Sequence, residues 1–217
     1  MGMHGASEAR PERGMRGGAP LYVEIFIRAD VDTVWELTQN PAHHPRWDLR
    51  FSGITPEGDV RDGYGYRFRY ERSLPGHTIV GTGTALGEKV RPDGTRTSAL
   101  RFDTTDRLSP LRDGRGYWRY VPTDGGVRFI TGYDYLPGFG SAADRILRPL
   151  ILWMTAWSFD RLRIWAETGV APEKWPLISA LAFWRRKRPR AGRCITVPPA
   201  RGALADAPST LATLEAP

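Results

Sequence analysis

Asp160-Arg161 is an adjacent pair of opposite charges in a stretch that is mostly apolar from Pro149 to Trp165. Charges in such surroundings are costly unless they are paired or hydrogen-bonded. Arg161 could reach a carboxylate or oxyanion of a bound molecule, or could serve the fold; the residues leave both open. Asp160 is read as a surface partner of Arg163 or Arg50. Trp47-Asp48-Leu49-Arg50 holds a second pair. As an extended segment it puts Asp48 and Arg50 on one face and Trp47, Leu49 and Phe51 on the other. That parity predicts a surface ion pair rather than a catalytic dyad. His43-His44, with Asp48 four residues on, has the atoms of a metal site but not the spacing. Adjacent histidines diverge on a helix, the other two histidines are His4 and His77, and no Cys–His or His–Glu–His pattern exists. A solvated histidine pair is expected, with no metal. Cys194 has no neighbouring base to activate it. There is no Gly-x-Ser-x-Gly turn, and Gly138-Phe139-Gly140 lacks the third glycine of a dinucleotide loop. No catalytic residue is assigned and no cofactor is expected.

The elements that would position these groups follow from periodicity. Leu21–Arg28 alternates Val23, Ile25 and Ile27 against polar residues and reads as a strand. Asp30 caps a short helix, Val31–Thr38, and Pro41–Arg46 forms a second. Strands follow over Trp47–Thr55, Tyr64–Arg72, Thr78–Val90, Thr95–Thr104, Arg115–Val121 and Val127–Leu136, punctuated by Pro56-Glu57-Gly58, Leu74-Pro75-Gly76, Pro92-Asp93-Gly94 and Pro122–Gly126. A long helix then runs to Glu167, with Ser141 and Asp144 as its capping box and Gly169 as its C-cap. Leu147, Leu150, Ile151, Met154, Trp157, Ser158, Arg161, Leu162 and Trp165 form one stripe along it.

The chain has 217 residues and a net charge of +7, with 24 aromatic side chains, eight each of Phe, Trp and Tyr. That is material for one sizeable core. The charge is uneven: residues 21–168 carry +1, residues 169–217 carry +5. A near-neutral domain argues against an extended nucleic-acid footprint. Residues 1–20 read as a disordered N-terminal extension and 169–217 as a basic, Pro-rich, mostly disordered tail, leaving 21–168 as the domain. In the tail, Trp175–Arg190 joins an apolar stretch to Arg185-Arg186-Lys187-Arg188-Pro189-Arg190. Weak contact with an anionic membrane, contact with nucleic acid, and a solvated, partly disordered extension with its apolar part packed on the domain are its three readings, the last favoured. One cysteine, no signal peptide and no spanning segment make a cytoplasmic location the expectation.

This order of elements resembles the START/polyketide-cyclase/birch-pollen-allergen superfamily, also called SRPBCC or helix-grip. The matching residues are the first strand with Ala29-Asp30-Val31-Asp32-Thr33-Val34-Trp35, the Pro41-to-Trp47 spacing, and the closing helix. Within it, Trp47-Asp48-Leu49-Arg50-Phe51, Gly116-Tyr117-Trp118-Arg119-Tyr120 and Ala156–Leu162 are similar to a bacterial subgroup. The resemblance implies an α+β fold: a seven-stranded antiparallel sheet wrapped around a long C-terminal helix, with two short helices after the first strand and a cavity between sheet and helix. Strand parity then nominates the lining as Phe51, Tyr66, Phe68, Tyr70, Thr82, Phe102, Trp118, Tyr120, Phe129, Thr131 and Tyr133, beside Val80, Thr84 and Leu100. The helix adds Ile151, Met154, Ser158 and Arg161. An aromatic wall with a few hydroxyls suits a hydrophobic small molecule such as a lipid, polyketide or aromatic compound. The alternatives are a cyclase/dehydratase-like enzyme, which would need an acid or base inside the cavity, and a peripheral membrane or interaction module acting through the tail. The same residues could also fill a solid core.

Overall fold

The structure, a computed structural model, describes residues 20–58 and 66–198. The expected disorder of 1–19 and 199–217, and Tyr64 in the third strand, lie outside those residues. Seven strands form one antiparallel sheet: β1 (Leu21–Ile27), β2 (Gly53–Glu57), β3 (Arg67–Leu74), β4 (His77–Val90), β5 (Arg96–Asp103), β6 (Leu111–Thr123) and β7 (Gly126–Pro137), in the spatial order β1-β7-β6-β5-β4-β3-β2. Two short helices, α1 (Val31–Gln39) and α2 (His44–Trp47), carry the chain from β1 to the far edge, and α3 (Gly140–Thr168) closes it. This is the helix-grip fold. Asp30 caps α1 as expected, its carboxylate accepting from the Thr33 amide at 2.6 Å. Gly169 ends α3 in the left-handed conformation that glycine adopts without cost (φ 70°).

Register fixes which side chains face α3. Opposite residues share a face, and the pairs Ile25–Phe129, Phe129–Tyr120, Trp118–Ser98, Phe102–Gly83 and Gly83–Phe68 carry the inner face across the sheet. The inner face of β4 is therefore Ile79, Gly81, Gly83 and Ala85. Thr82, with Val80 and Thr84, points to the outer face opposite Arg69 and Asp103, so its place in the expected lining is wrong by one residue. A one-position slip moves every side chain of a strand across the sheet.

Three local expectations also change. Residues 47–52 are not a strand: Trp47 closes α2, Asp48 caps it, and β2 begins at Gly53. Ser141 does not cap α3, which starts after Phe139 with no side-chain cap; Asp144 instead accepts from the Tyr135 hydroxyl at 2.6 Å. Residues 169–198 are not a disordered tail. They form short turns at Pro172–Lys174, Leu177–Leu181 and Ala191–Arg193, and Ile195 pairs with Glu24 on the free edge of β1.

The anchor of that return is Asp160. Its side chain is fully buried, and its oxygens accept from Arg163 Nε at 2.6 Å, the Arg190 amide at 2.7 Å and Arg193 Nη1 at 2.7 Å. The expected pairing with Arg163 exists, but in the interior, because the returning chain covers it. Removing one partner of a buried pair costs about 3–5 kcal/mol. Asp160→Ala should lower the urea midpoint accordingly and let trypsin cut within residues 185–193 before the domain unfolds. Unchanged protection of that segment would show that Asp160 does not hold it.

Candidate ligand-binding cleft

α3 lies across β1 and, at fewer points, β7, with no comparable contact to β3, β4 or β5. Over the covered half the interior is solid. Val23, Ile25, Ile27, Trp47, Trp118, Tyr120, Phe129, Ala156, Phe159 and Leu162 form one cluster, with the Phe129 and Phe159 rings stacked at 4.6 Å. Trp118, Tyr120 and Phe129, nominated as lining, belong to this packing. The Tyr120 hydroxyl is satisfied by Thr38 Oγ1 at 2.6 Å and Gln39 Nε2 at 2.9 Å. Thr131 is also buried, its hydroxyl donating to the Tyr117 carbonyl.

Over the other half burial is less complete, with Tyr70, Ile79 and Ser98 buried and several aromatic rings only partly so. Phe51, Tyr66, Phe68, Leu100 and Phe102 are only half-buried, and rings meet edge-on or tilted, Phe51 with Tyr70 at 5.7 Å and Tyr66 with Phe68 at 5.9 Å. The N-terminal half of α3 faces this wall with Leu147, Ile151 and Met154. Phe102 and Leu147 both pack against the cluster of Tyr133, Tyr135 and Ile151 that closes the inner end. The half-buried aromatic residues of the sheet and the aliphatic residues of α3 are the two sides of the candidate ligand site.

Its polar end was not foreseen. Arg50 lies over the rings of Tyr133 at 5.3 Å and Phe51 at 5.7 Å, with its side chain 18% exposed. Behind it, Asp48 is wholly buried and binds Arg50 Nη2 at 2.6 Å and His44 Nε2 at 3.2 Å. His44 is buried too, stacked on Trp47 and edge-on to Phe51 and Trp118. The surface ion pair and the solvated histidine are thus both corrected: residues 48–50 form a turn, so strand parity does not apply to them. Tyr133 shares a hydrogen bond with Thr155 at 2.9 Å, and Ser158 accepts from the Leu49 amide at 3.0 Å.

Arg161, the nominated anion contact, serves the fold. Its guanidinium donates to the carbonyls of Trp47, Arg46 and Pro172 at 2.9–3.2 Å, joining α2 and the first turn after α3 to the helix. Burial lowers its pKa to about 10. Burial would raise the Asp48 carboxyl, but the Arg50 guanidinium and the His44 bond hold it well below the usual range. Burial pushes His44 down, against the pull of Asp48, whose charge Arg50 already balances. Burial likewise raises the Tyr133 and Tyr70 phenols. The cleft therefore presents one fixed cation, neutral hydroxyls and apolar rings. No group of metal-ligating residues occurs among the described residues. A separate surface hollow of about 390 Å³, between Arg28–Val31 and the β6–β7 turn, does not include any cleft residue.

Residues 20–163 match the family described as polyketide cyclase / dehydrase and lipid transport. The chain belongs to that family. A Bacillus subtilis (strain 168) protein bearing the name "uncharacterized membrane protein YndG" is 42% identical over 161 residues; the match takes in 71% of this chain and 60% of that one, so the chain spans little more than half of that relative. Among solved structures, a STAR-related lipid transfer protein fragment from Xanthomonas axonopodis superposes with a TM-score of 0.53 at 16% identity, over 73% of this chain and 94% of that one. The Zhui aromatase/cyclase from Streptomyces sp. R1128 gives 0.51 at 10% identity, over 70% and 98%. At such identities the likeness is one of fold. The matched region of the family ends just beyond Asp160 and Arg161, so the returning segment after α3 lies outside it.

Of the groups at this polar end, Tyr133 was legible by parity; Phe51 was nominated from a strand that does not exist there, and Arg50, Asp48 and His44 were not nominated. The one available signal was Pro45, which suits the first turn of a helix and so argues against a strand beginning at Trp47. The depressed His44 predicts a pH effect. A histidine that stays neutral when folded but binds a proton when unfolded makes stability fall as pH drops through the unfolded value of about 6.5. Stability of the wild type should therefore decline between about pH 7 and pH 5.5, and His44→Gln should flatten that decline. Equal slopes in urea titrations of both proteins would place the titrating group elsewhere.

Proposed function

We propose that this protein binds an elongated hydrophobic small molecule, a lipid, polyketide or aromatic compound, between β3–β5 and the N-terminal half of α3, with its polar end at Arg50. The observation that carries this reading is the half-exposed aromatic face that α3 leaves uncovered, ended by a single cation. Apolar walls supply most of the binding free energy, at about 25 cal/mol per Å² removed from water. Arg50 orients the ligand: a carboxylate, enolate or phosphate end would find a planar donor already fixed by Asp48. Its neutralisation by Asp48 favours a single anionic or strongly polar group over a multiply charged one. The family's description, which names both lipid transport and polyketide cyclisation, supports the ligand class. The name of the Bacillus relative, a membrane protein, supports a lipid within it, and the lone cysteine supports a cytoplasmic setting.

A cyclase/dehydratase-like activity is the second reading, favoured by one observation: an imidazole and a carboxylate do stand behind the cleft's polar end. Their environment suits binding better. Asp48 is held ionised by Arg50 and is therefore a weak base, while His44 is enclosed by Trp47, Phe51 and Trp118. In an enzyme, Arg50 would act by stabilising an oxyanion rather than by moving a proton.

Native mass spectrometry of the freshly purified full chain tests the binding reading. A retained apolar compound is expected, and Leu100→Trp/Met154→Trp, which fills the cleft from both walls, should abolish it without lowering the melting temperature by more than a few degrees. Retention by the filled variant, or reproducible absence of any bound compound from the wild type in native spectra and organic extracts, would reject the cleft as the site. Arg50→Lys keeps the charge but loses the planar fork. It should weaken an anionic ligand by about tenfold and leave an uncharged analogue unaffected.

A further inference from the structure

The segment after α3 crosses the outer side of that helix. Arg161, on one flank, holds the carbonyl of Pro172; Asp160, on the other, holds the Arg190 amide and Arg193. Between the anchors, Trp157 and Ile164 are buried although helical spacing turns them away from the sheet-facing stripe of Ile151, Thr155, Ser158 and Leu162, so Trp157 and Leu150, expected on that stripe, belong to the outer side of the helix. The crossing chain covers them, yet its own large apolar residues face solvent: Ile178, Phe183 and Trp184 are each about 70% exposed. Towards the N-terminus of α3 the same outer stripe continues as Ile146, Leu150 and Trp153, also exposed, with Trp153 stacked on Trp157 at 6.3 Å. Arg185, Arg186 and Lys187 follow Trp184 directly and are exposed.

We propose that this outer surface of α3, completed by the crossing segment, is a docking face for an anionic lipid bilayer. Separately, the apolar residues and the cations each have a plain explanation. Together, on the outer side of α3 and on the segment anchored across it, they match an interface with hydrocarbon below and anionic headgroups around it. Aromatic and aliphatic side chains gain by leaving water, tryptophan suits the headgroup level, and a short basic run meets the negative surface potential. Protein partners would be met by a patch with few cations at its centre and rim hydrogen-bonding groups; here three consecutive cations adjoin the two most exposed aromatic rings. Leu150 lies at the border between this face and the cleft wall formed by Leu147 and Met154, so a docked molecule would hold the cleft mouth close to the bilayer. No helix among the described residues is long and apolar enough to cross a membrane, and docking at the surface requires none. The inference is independent of whether the cleft carries a ligand.

Flotation of the full chain with vesicles of phosphatidylcholine, with and without phosphatidylserine, tests it. Binding is expected only to the anionic vesicles and should fall with added salt. Phe183→Ser/Trp184→Ser and, separately, R185E/R186E/K187E should each reduce the bound fraction about tenfold or more, and both replace exposed residues only. Reversing charges off the patch, as R107E/R112E, should leave binding unchanged. Absence of binding, equal binding to both vesicles, retention by the patch variants or equal loss in the off-patch variant would each overturn the assignment. So would salt-sensitive RNA binding by a chain that ignores vesicles. Loss of vesicle binding with a ligand still retained in native mass spectra would separate this surface from the cleft.

Discussion

A sheet of seven strands is much wider than one helix. At about 4.8 Å per strand the sheet spans about 29 Å, whereas a helix with its side chains is about 10–12 Å across. α3 can therefore seal only part of the concave face, and where it sits decides what the rest can do. It sits on β1 and β7 because the residues there, Val23, Ile25, Ile27 and Phe129, meet Ala156, Phe159 and Leu162. The two short helices add Val34 and Trp47 to the same side. Everything useful for binding follows from that asymmetry: a dry, well-packed half that supplies stability, and an open aromatic half that must be closed by something else or remain in contact with water.

Buried ion pairs mark the seams of this arrangement. Asp48 with Arg50 lies where α2 gives way to the distal half of the sheet. Asp160 with Arg163 and Arg193 lies where the returning chain crosses α3. Replacing such a pair with apolar side chains is often neutral or stabilising, so their worth is not stability in the aggregate. Each instead specifies one geometry, because the carboxylate accepts only where its donors converge. Asp160 fixes three separate points of chain, and Asp48 fixes the cation at the cleft's end. Arg161 does the same with carbonyls, tying residues 46, 47 and 172 to the helix.

The fold was legible from sequence because its determinants are local and repeated: alternation in the strands, the capping aspartate of α1, the glycine after α3 and the hairpin turns. Of the nominated lining, Phe68, Tyr70, Phe102 and Tyr133 share the inner face of the sheet by register. The failures have specific causes. Thr82 fell on the wrong face because β4 was read without its register to β3, where Gly81 and Gly83 carry the inner face with no side chain to announce it. Trp118, Tyr120 and Phe129 have inward parity, but parity cannot say which part of a wide sheet the helix covers. The ion pairs were misplaced outward because charges are usually exposed, and only the three-dimensional return of the chain buries Asp160. The order of residues 169–198 was hidden for the same reason: their hydrogen bonds reach back to Asp160 and Arg161 on α3 and to Glu24 and Arg46 far earlier in the chain, which no local pattern announces.

The inner glycines of β4 and β6 also set the depth of the cleft. A methyl group at Gly83 would lie 2.1 Å from the Phe68 ring, one at Gly81 2.2 Å from the Tyr70 ring, and one at Gly114 2.2 Å from the Phe102 ring. Each ring thus leans across a neighbouring strand and lies along the sheet where a side chain would otherwise stand. Upright rings would reach toward α3 and fill the gap; recumbent ones leave it open while still presenting their faces. An alanine at Gly83 would have to displace the Phe68 ring, whereas at Gly81 and Gly114 the methyl would also meet the carbonyls of Asp103 at 2.7 Å and Asp134 at 2.6 Å, so the strands themselves would have to shift. The space between α3 and β3–β5 is therefore set as much by the side chains the sheet lacks as by those it displays, and strand glycines, usually a weakness in a sheet, are here a condition for the room beside them.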